Sequence, residues 1–322
     1  MIFIIFFIAA ILVVTAAIHL NQCGDVISKK TSLSGAVVGT FLIAGATSLP
    51  ELTTSITAVY IDNPDIAVGN MLGSNVFNLL ILAAVDLFYR KQRLFQRINQ
   101  HANLPSAWIS LTFLIIISLS LLVPESMQFF NIGIEMYMIV FFYIISMKFI
   151  TSEYEEDDDS PPSKDLPLSS AITGFLIAVG VVFISGSILS IAGDQMAEVT
   201  GMNASFIGSF LIAASTSLPE LVSVLAAFKL ANYNMAVGSI IGSNLYNLKL
   251  LVFTDVLYQK GAILDSIQDT HLYLALLGIT MTLFLIYTLI RPNKINRLGS
   301  YLMPSLFIIT LYFVTSYMMF FL

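Results

Sequence analysis

The chain has 322 residues, of which 57% are hydrophobic and 11% are charged, and its mean hydropathy is +0.88. Soluble domains carry about a quarter charged residues, so this composition excludes a soluble globular protein. The formal net charge of −6 arises locally and gives no reason to expect nucleic-acid binding.

Apolar runs of about 20 residues recur along nearly the whole chain, as transmembrane helices require. Strand-like alternation is absent, so we predict an all-α, polytopic membrane protein with ten transmembrane helices. The first run lacks a basic flank and a cleavage site, which favours a span over a signal peptide. The predicted spans are residues 2–20, 33–60, 66–89, 107–123, 127–147, 169–191, 203–229, 235–258, 271–290 and 302–322.

The orientation follows from the lysines and arginines, which favour the cytoplasmic side. With the N-terminus outside, 12 of the 14 basic residues fall inside, leaving Lys260 outside and Lys249 within a span. Both termini are therefore expected on the extracellular or periplasmic side of a plasma membrane. The minimal chain is typical of a prokaryotic protein.

The hydrophobic pattern is broken by an acidic, proline-containing segment at residues 152–167. This composition predicts a solvated cytoplasmic linker. A regulatory calcium site is the alternative, although the EF-hand loop pattern is missing. The expected organisation is two five-helix halves, each with a repeat, joined by the linker: 1–150 with repeat 1 at about 40–91, linker 151–168, and 169–322 with repeat 2 at about 209–260.

The two repeats align without a gap at an offset of 169, with 24 identities among 52 positions. Thr-Ser-Leu-Pro-Glu at 47–51 recurs at 216–220, and Gly-Ser-Asn at 73–75 recurs at 242–244. Five spans separate the copies, so the copies cross the membrane in opposite directions. Inverted repeats of this kind are typical of secondary transporters, which bind substrate near the midplane at the repeat interface.

Each repeat places a proline and a carboxylate inside an apolar run. Pro50 and Pro219 are predicted to break their helices and free carbonyls about one turn earlier, where a cation could bind. Glu51 and Glu220 are ionisable groups at membrane depth, which is expensive and therefore points to function. The structural alternative is a kink capped by the neighbouring hydroxyls, with a glutamate that shares a proton.

The following span of each repeat supplies a polar stripe at a spacing of four residues, which lies on one helix face. The alternative role of such residues is polar contact between packed helices. Carboxylate, hydroxyl, amide and carbonyl oxygens select hard cations, namely Ca²⁺, Mg²⁺, Mn²⁺ or Na⁺, with Mg²⁺ disfavoured by its octahedral demand. The stripes are Asn70, Ser74 and Asn78 in the first half and Ser239, Ser243 and Asn247 in the second.

The segments 44–51 with 69–78, and 213–220 with 238–247, resemble the two α-repeats of the sodium/calcium exchanger family. The resemblance implies a Na⁺/Ca²⁺ antiporter that works by alternating access, with the first and sixth spans sliding across a fixed core. It also implies net charge movement. The residues implied to bind Ca²⁺ and Na⁺ are Glu51, Glu220, Thr47, Thr216, Ser48, Ser217, Ser74, Ser243, Asn78 and Asn247, with Ala44 and Ala213 as carbonyl candidates.

Two positions depart from parts of that family. Asn247 replaces an aspartate found in several prokaryotic and potassium-dependent relatives, so no potassium requirement is expected. Lys249 aligns with Leu80 and lies about 200° around the helix from Asn247, away from the site. We expect it to face a protein or water partner. The alternative is a tethered cation that replaces one sodium.

Asp86 and Asp255 continue the two stripes, and Asp86 is predicted to pair with Arg90 one turn later. The alternative is a cation-attracting vestibule. The single Cys23 excludes an internal disulfide, and the scattered histidines show no metal-ligand spacing.

The main alternative function is a Ca²⁺/H⁺ or Mn²⁺/H⁺ antiporter, in which the two glutamates exchange metal for protons. A channel or a metal sensor is a further alternative. No enzymatic activity and no cofactor are expected, since no nucleophile–base pair or cofactor motif is present. The expected partners are Ca²⁺, Na⁺ and the lipid bilayer, with no oligomer required.

Overall fold

The computed structural model describes residues 1–30, 48–98, 100–123, 127–150, 166–229, 233–291 and 297–321. The long elements within these ranges are helices. We number them α1 to α10 after the ten predicted spans to which they correspond. Their bounds are α1 (Ile2–Lys30), α2 (Leu49–Tyr60), α3 (Pro64–Phe88), α4 (Gln100–Ser120), α5 (Ile134–Ile150), α6 (Leu168–Thr200), α7 (Ala204–Lys229), α8 (Tyr233–Leu257), α9 (Thr270–Ile290) and α10 (Leu298–Phe321).

Helix α7 is interrupted near its middle. Its first part, α7a, runs from Ala204 to Thr216 and contains a π-helical stretch at Ile207–Ile212. Its second part, α7b, is Leu218–Lys229. Two 3₁₀ turns follow α3 and α8 at Leu94–Gln96 and Ile263–Ser266.

Eight of these helices are long and apolar enough to cross a membrane, and α5 contributes a shorter apolar helix. Helix α2 is the second part of the predicted second span, whose earlier residues, 33–47, lie outside the described ranges. The predicted all-α polytopic membrane fold is therefore confirmed.

The fifth span begins later than predicted. Residues 127–133 contain a hairpin of strands β1 (Gln128–Phe129) and β2 (Ile132–Gly133). The turn residues Phe130 and Asn131 have φ of 54° and 60°, a left-handed conformation that a right-handed helix cannot contain. Helix α5 therefore starts at Ile134.

Helix α3 lies at the centre of the bundle, against α2, α7, α8, α9 and α10. In its most apolar 18-residue window 78% of residues are buried, compared with 22% for α1. Helix α1 instead packs along α6 and presents large apolar side chains outward, as lipid contact requires. The polar stripe of the first repeat therefore lies on the most enclosed helix.

Small residues bring α3 and α7a into backbone contact. A Cβ built on Gly73 would lie 2.1 Å from the Ser209 carbonyl oxygen, and one on Gly208 would lie 2.9 Å from the Ile66 Cα. Only glycine fits at so close an approach, which is typical of membrane helix interfaces.

The prediction that Asp86 pairs with Arg90 is wrong. The buried Asp86 carboxylate accepts hydrogen bonds from the Tyr301 hydroxyl and, at 2.7 Å, from Ser305 Oγ, both on α10. These donors come from the opposite half of the chain, so a local i,i+4 rule does not find them.

Asp255 has the equivalent place at the other end of the molecule, but with different donors. It accepts from the Ile263 N–H at 2.6 Å and from the Gly133 N–H at 3.0 Å, just before α5. Each aspartate thus ties the end of α3 or α8 to the start of the last helix of the opposite half. This reciprocity is what an inverted repeat produces.

Candidate cation-binding site

Glu51 lies in the first turn of a helix. Helix α2 begins directly after its N-cap Ser48, with Pro50 within its first two positions. The first turn needs no internal N–H donor, so proline is tolerated there. The positive end of the helix dipole is directed at the carboxylate, which stabilises negative charge.

Glu220 has the same placement in the second repeat. Helix α7 breaks at Ser217 (φ −90°, ψ 1°), and Pro219 and Glu220 lie in the first turn of α7b. The Ala213 carbonyl accepts from the Ser217 N–H at 3.0 Å and from Thr216 Oγ1 at 3.2 Å. The carbonyl candidate Ala213 therefore carries two internal hydrogen bonds in this conformation.

The two carboxylates are buried and close enough for their charges to interact. Glu51 Oε1 accepts a hydrogen bond from Ser217 Oγ of the opposite repeat at 3.3 Å. Glu51 Oε2 and both carboxylate oxygens of Glu220 have no hydrogen-bond partner among the described residues. Uncompensated carboxylates in a protein interior are expensive and require a cation or protons.

Hydroxyl groups from both repeats surround Glu51. Ser74 Oγ lies 3.4 Å from Thr216 Oγ1, and both hydroxyls are near the Glu51 carboxylate. Thr216 Oγ1 is also 3.2 Å from Asn70 Oδ1, so its one hydrogen is shared between Asn70 and the Ala213 carbonyl. The site therefore joins α3 and the motif of α7 across the repeat interface.

The Asn70 side chain is hydrogen-bonded to the first turns of α2. The two hydrogens of its Nδ2 are shared among three acceptors, Thr54 Oγ1 at 2.6 Å, Ser55 Oγ at 3.0 Å and the Glu51 carbonyl at 3.2 Å. The sequence placed Asn70 on the polar stripe without giving it a partner. Its structural contacts make it a support of the helix that carries Glu51.

Four asparagines form a bridge between α3 and α8. Asn78 Nδ2 donates to Asn244 Oδ1 at 2.9 Å, and Asn247 Nδ2 donates to Asn75 Oδ1 at 3.2 Å. Asn244 Nδ2 donates to the Asn75 carbonyl at 3.1 Å. The repeated Gly-Ser-Asn marks these positions in the sequence but predicts no role for Asn75 or Asn244.

The buried oxygen atoms left without a hydrogen-bond partner come from both repeats. Among the described residues, no three His, Cys, Asp or Glu side chains group together, so neutral oxygens must complete any cation site here. The unpartnered atoms of the predicted residues are Glu51 Oε2, Glu220 Oε1, Glu220 Oε2, Ser48 Oγ, Asn78 Oδ1 and Asn247 Oδ1.

Three predicted ligands remain, namely Ser243, Thr47 and Ala44. Ser243 is buried on α8, within the same helix as Asn247. Thr47 and Ala44 lie outside the described residues.

Lys249 points away from this site. Its Nζ donates to the Tyr143 hydroxyl at 3.2 Å and lies 4.5 Å and 4.8 Å from the ring centroids of Tyr143 and Tyr246. Cation–π contacts of this kind hold an ammonium group between helices. The expectation that Lys249 faces a protein partner is confirmed.

The match to a known protein family covers both halves of the chain and omits the segment between them. The model of the sodium/calcium exchanger protein family matches residues 1–151 and 170–316. The chain belongs to the sodium/calcium exchanger family. Members of this family are cation antiporters of the membrane, so the chain is a multi-pass transporter. The gap in the match, 152–169, coincides with the predicted acidic linker.

Individual family members are similar over most of their length. The sodium/calcium exchanger MaX1 of Methanosarcina acetivorans is 24% identical over 283 residues, covering 78% of this chain and 81% of that protein. Among solved structures, the sodium-calcium exchanger NCX_Mj has a TM-score of 0.59 at 21% identity, covering 98% of both chains. The H⁺/Ca²⁺ exchanger CAX has a TM-score of 0.66 at 13% identity, covering 99% of this chain and 88% of that one. These likenesses confirm the fold of ten helices in two inverted repeats.

Proposed function

We propose that this chain exchanges Na⁺ for Ca²⁺ across the membrane by alternating access, at one buried site that both repeats form. The central ligands are the carboxylates of Glu51 and Glu220. The other proposed ligands are Thr47, Ser48, Ser74, Asn78, Thr216, Ser217, Ser243 and Asn247, with the carbonyls of Ala44 and Ala213.

The observation that carries the proposal is the set of buried, unpartnered oxygen atoms. All six belong to carboxylate, hydroxyl or amide groups. Oxygen ligands suit hard cations, and the charge of two glutamates balances one Ca²⁺. Mg²⁺ fits less well because it is reluctant to lose its water shell and demands octahedral geometry.

The amide oxygens favour sodium over protons as the exchanged species. Protonation of Glu51 and Glu220 would neutralise the carboxylates but would leave Asn78 Oδ1 and Asn247 Oδ1 without a partner. Sodium ions can be coordinated by the same neutral oxygens after Ca²⁺ leaves. The alternative is Ca²⁺/H⁺ or Mn²⁺/H⁺ exchange, in which the glutamates alone carry the second species.

The packing of α1 and α6 supports a sliding movement over a fixed core. On the predicted extracellular side, α6 packs closely on α2, with Thr57 Oγ1 2.9 Å from Ser187 Oγ and Asn63 Nδ2 donating to Asp194 Oδ1 at 2.6 Å. The equivalent contact of α1 with α7b is much smaller and has one long hydrogen bond, Asn21 to Ser223 at 3.5 Å. Among the described residues, the closer of these two contacts is therefore the one on the predicted extracellular side.

The remaining parts of the proposal concern coupling and placement. Asn247 adds no third acid, so the exchange is proposed to be independent of K⁺ and to move net charge. Both termini are proposed to lie outside a plasma membrane, with the acidic linker in the cytoplasm.

Transport in reconstituted vesicles tests the proposal. We expect an outward Na⁺ gradient to drive ⁴⁵Ca²⁺ uptake, and a pH gradient without Na⁺ to drive none. Uptake driven by the pH gradient alone would instead establish the proton-coupled alternative.

Glutamine variants test the site assignment. Glu51→Gln and Glu220→Gln should each abolish uptake, because each removes one of the two charges that balance Ca²⁺. Glu135→Gln is the matched control, since the Glu135 carboxylate is also buried and without a hydrogen-bond partner among the described residues but lies at the start of α5. Full activity of either site variant would remove that glutamate from the site.

A further inference from the structure

The bridge of four asparagines lies where α3 and α8 meet. Asn75 and Asn244 are equivalent positions in the two repeats, and so are Asn78 and Asn247. The bond from Asn78 to Asn244 and the bond from Asn247 to Asn75 are therefore the same contact made twice, once in each direction. All four side chains are at most 5% exposed.

A backbone atom determines which way round the first amide is held. A carbonyl oxygen can only accept, so the Asn244 amide must point its Nδ2 at the Asn75 carbonyl, 3.1 Å away. This leaves Asn244 Oδ1 as the acceptor for Asn78 Nδ2. The Asn78 Oδ1 atom is then the end of the side chain that remains available.

The second amide has the same arrangement, but no backbone atom fixes its orientation. Asn247 Nδ2 donates to Asn75 Oδ1 at 3.2 Å, which leaves Asn247 Oδ1 available. The Nδ2 of Asn75 itself has no partner among the described residues. Asn75 is therefore less firmly oriented than Asn244.

An asparagine beside a cation binds only in one of its two orientations. Its oxygen coordinates the ion, whereas its NH₂ group repels it. A buried asparagine with no fixed partner can adopt either orientation. Binding then requires that the correct one be selected, which weakens the apparent affinity.

We infer that Asn75 and Asn244 are positioning residues that hold the amide oxygens of Asn247 and Asn78 towards the bound cation. The inference rests on the proposed function, because Asn78 and Asn247 are ligands only in that proposal. It gives the repeated Gly-Ser-Asn motif a role that is separate from the close packing of its glycine. Asn75 and Asn244 need not touch the ion.

A carboxylate in place of the positioned amide provides the test, since aspartate presents an oxygen whichever way it is turned. We would measure the half-saturating Na⁺ concentration of Ca²⁺ uptake in vesicles. The effect of Asn75→Ala is measured in the native chain and again in the Asn247→Asp variant. The effect of Asn244→Ala is measured in the native chain and again in the Asn78→Asp variant. These are two double-mutant cycles, which isolate the pairwise effect.

We expect each alanine variant to raise the half-saturating Na⁺ concentration about tenfold in the native background, as the loss of a buried hydrogen-bond partner implies. In the aspartate backgrounds the same substitutions should change it by less than about twofold, because there is no orientation left to lose. Asn103→Ala, which removes a buried asparagine of α4 outside the bridge, should leave it unchanged.

If the alanine substitutions had the same effect in both backgrounds, Asn75 and Asn244 would have only a packing role, and the inference would be overturned. It would also be overturned if the alanine substitutions had no effect in either background. If an alanine variant does not purify as folded protein, Asn75→Ser or Asn244→Ser takes its place. Serine keeps a polar side chain but is too short to reach the amide of the partner asparagine. Failure of the unmodified protein to use Na⁺ would refute the proposed function instead. In that case the same two double-mutant cycles would be measured with the half-saturating Ca²⁺ concentration of pH-driven uptake.

Discussion

At the contact between α3 and α8, the two repeats present the same residues to each other, whereas at the two membrane faces they meet different partners. Asn75 and Asn78 pair with Asn244 and Asn247. At one end of the molecule Asp86 accepts from two hydroxyl groups of the opposite half, while at the other end Asp255 accepts from a backbone N–H of the opposite half. The contacts between the repeats are thus reciprocal at the asparagine bridge and differ at the helix ends.

This difference separates two kinds of constraint. A site on a pseudo-two-fold axis needs equivalent atoms from both halves, because both contribute to one coordination sphere. The helix ends need only a satisfied carboxylate, which different donors can supply. Variants that exchange or remove features of one repeat should therefore have very unequal effects.

The largest effect is expected at the backbone contact of the central helix. Gly73→Ala places a methyl group 2.1 Å from the Ser209 carbonyl oxygen, so α3 and α7a must separate. We expect a loss of at least about 3 kcal/mol of stability and no measurable transport. Thermal stability in detergent and vesicle uptake measure both.

Gly278→Ala is the matched control, because its methyl group would meet Leu114 at an ordinary 3.5 Å. Equal stability of the two alanine variants would contradict the close approach of α3 and α7a.

The two helix-end aspartates should differ from each other. Asp255→Asn turns an NH₂ group towards a backbone N–H that cannot accept, and should lower stability by about 2–3 kcal/mol. Asp86→Asn should lower it by only about 1 kcal/mol, because the Ser305 hydroxyl can rotate to accept. Thermal melts of both variants measure the difference, and the reverse order would contradict the assignment of donors.

A smaller effect is expected where the stripes differ, at Asn70 and its equivalent Ser239. Asn70→Ser copies the second repeat but removes the donors to Thr54, Ser55 and the Glu51 carbonyl. We expect the half-saturating Ca²⁺ concentration of uptake to rise about fivefold.

Ser239→Ala is the comparison, since the Ser239 hydroxyl bonds within its own helix to the Ala236 carbonyl at 3.1 Å. It should leave the half-saturating Ca²⁺ concentration nearly unchanged. A larger effect at Ser239 than at Asn70 would show that the second stripe, not the first, supports the carboxylates.

The smallest effect is expected at Lys249, which aligns with Leu80. Lys249→Leu makes the repeats identical there and removes contacts with two tyrosine rings, at a cost of about 1 kcal/mol in stability. The Na⁺ dependence of uptake should stay the same. A change in that dependence would mean that the ammonium group acts as a tethered cation.

The sequence predicted the architecture well because membrane helices and inverted repeats leave periodic, strong signals. Glu51 and Glu220 stood out since a carboxylate at membrane depth has few structural explanations. The Asp86–Arg90 pairing was wrong because the true donors, Tyr301 and Ser305, lie more than 200 residues away. Local spacing carries no information about such contacts.

The asparagine bridge was hidden for a related reason. Asn75 and Asn244 are visible as repeated letters, but their role depends on which amide atom each one bonds across the interface. The hairpin before α5 was also missed, since its residues Met127–Phe130 continue an apolar pattern and only the backbone reveals the turn.

Equilibrium binding of ⁴⁵Ca²⁺ to the purified protein tests the central claim most directly, because it reports on the shared site without transport. We predict that Na⁺ displaces the bound ⁴⁵Ca²⁺ competitively and with a steep concentration dependence, that K⁺ does not, and that Glu51→Gln and Glu220→Gln each abolish binding. Binding that is insensitive to Na⁺ and persists in both glutamine variants would contradict a single site formed by the two repeats.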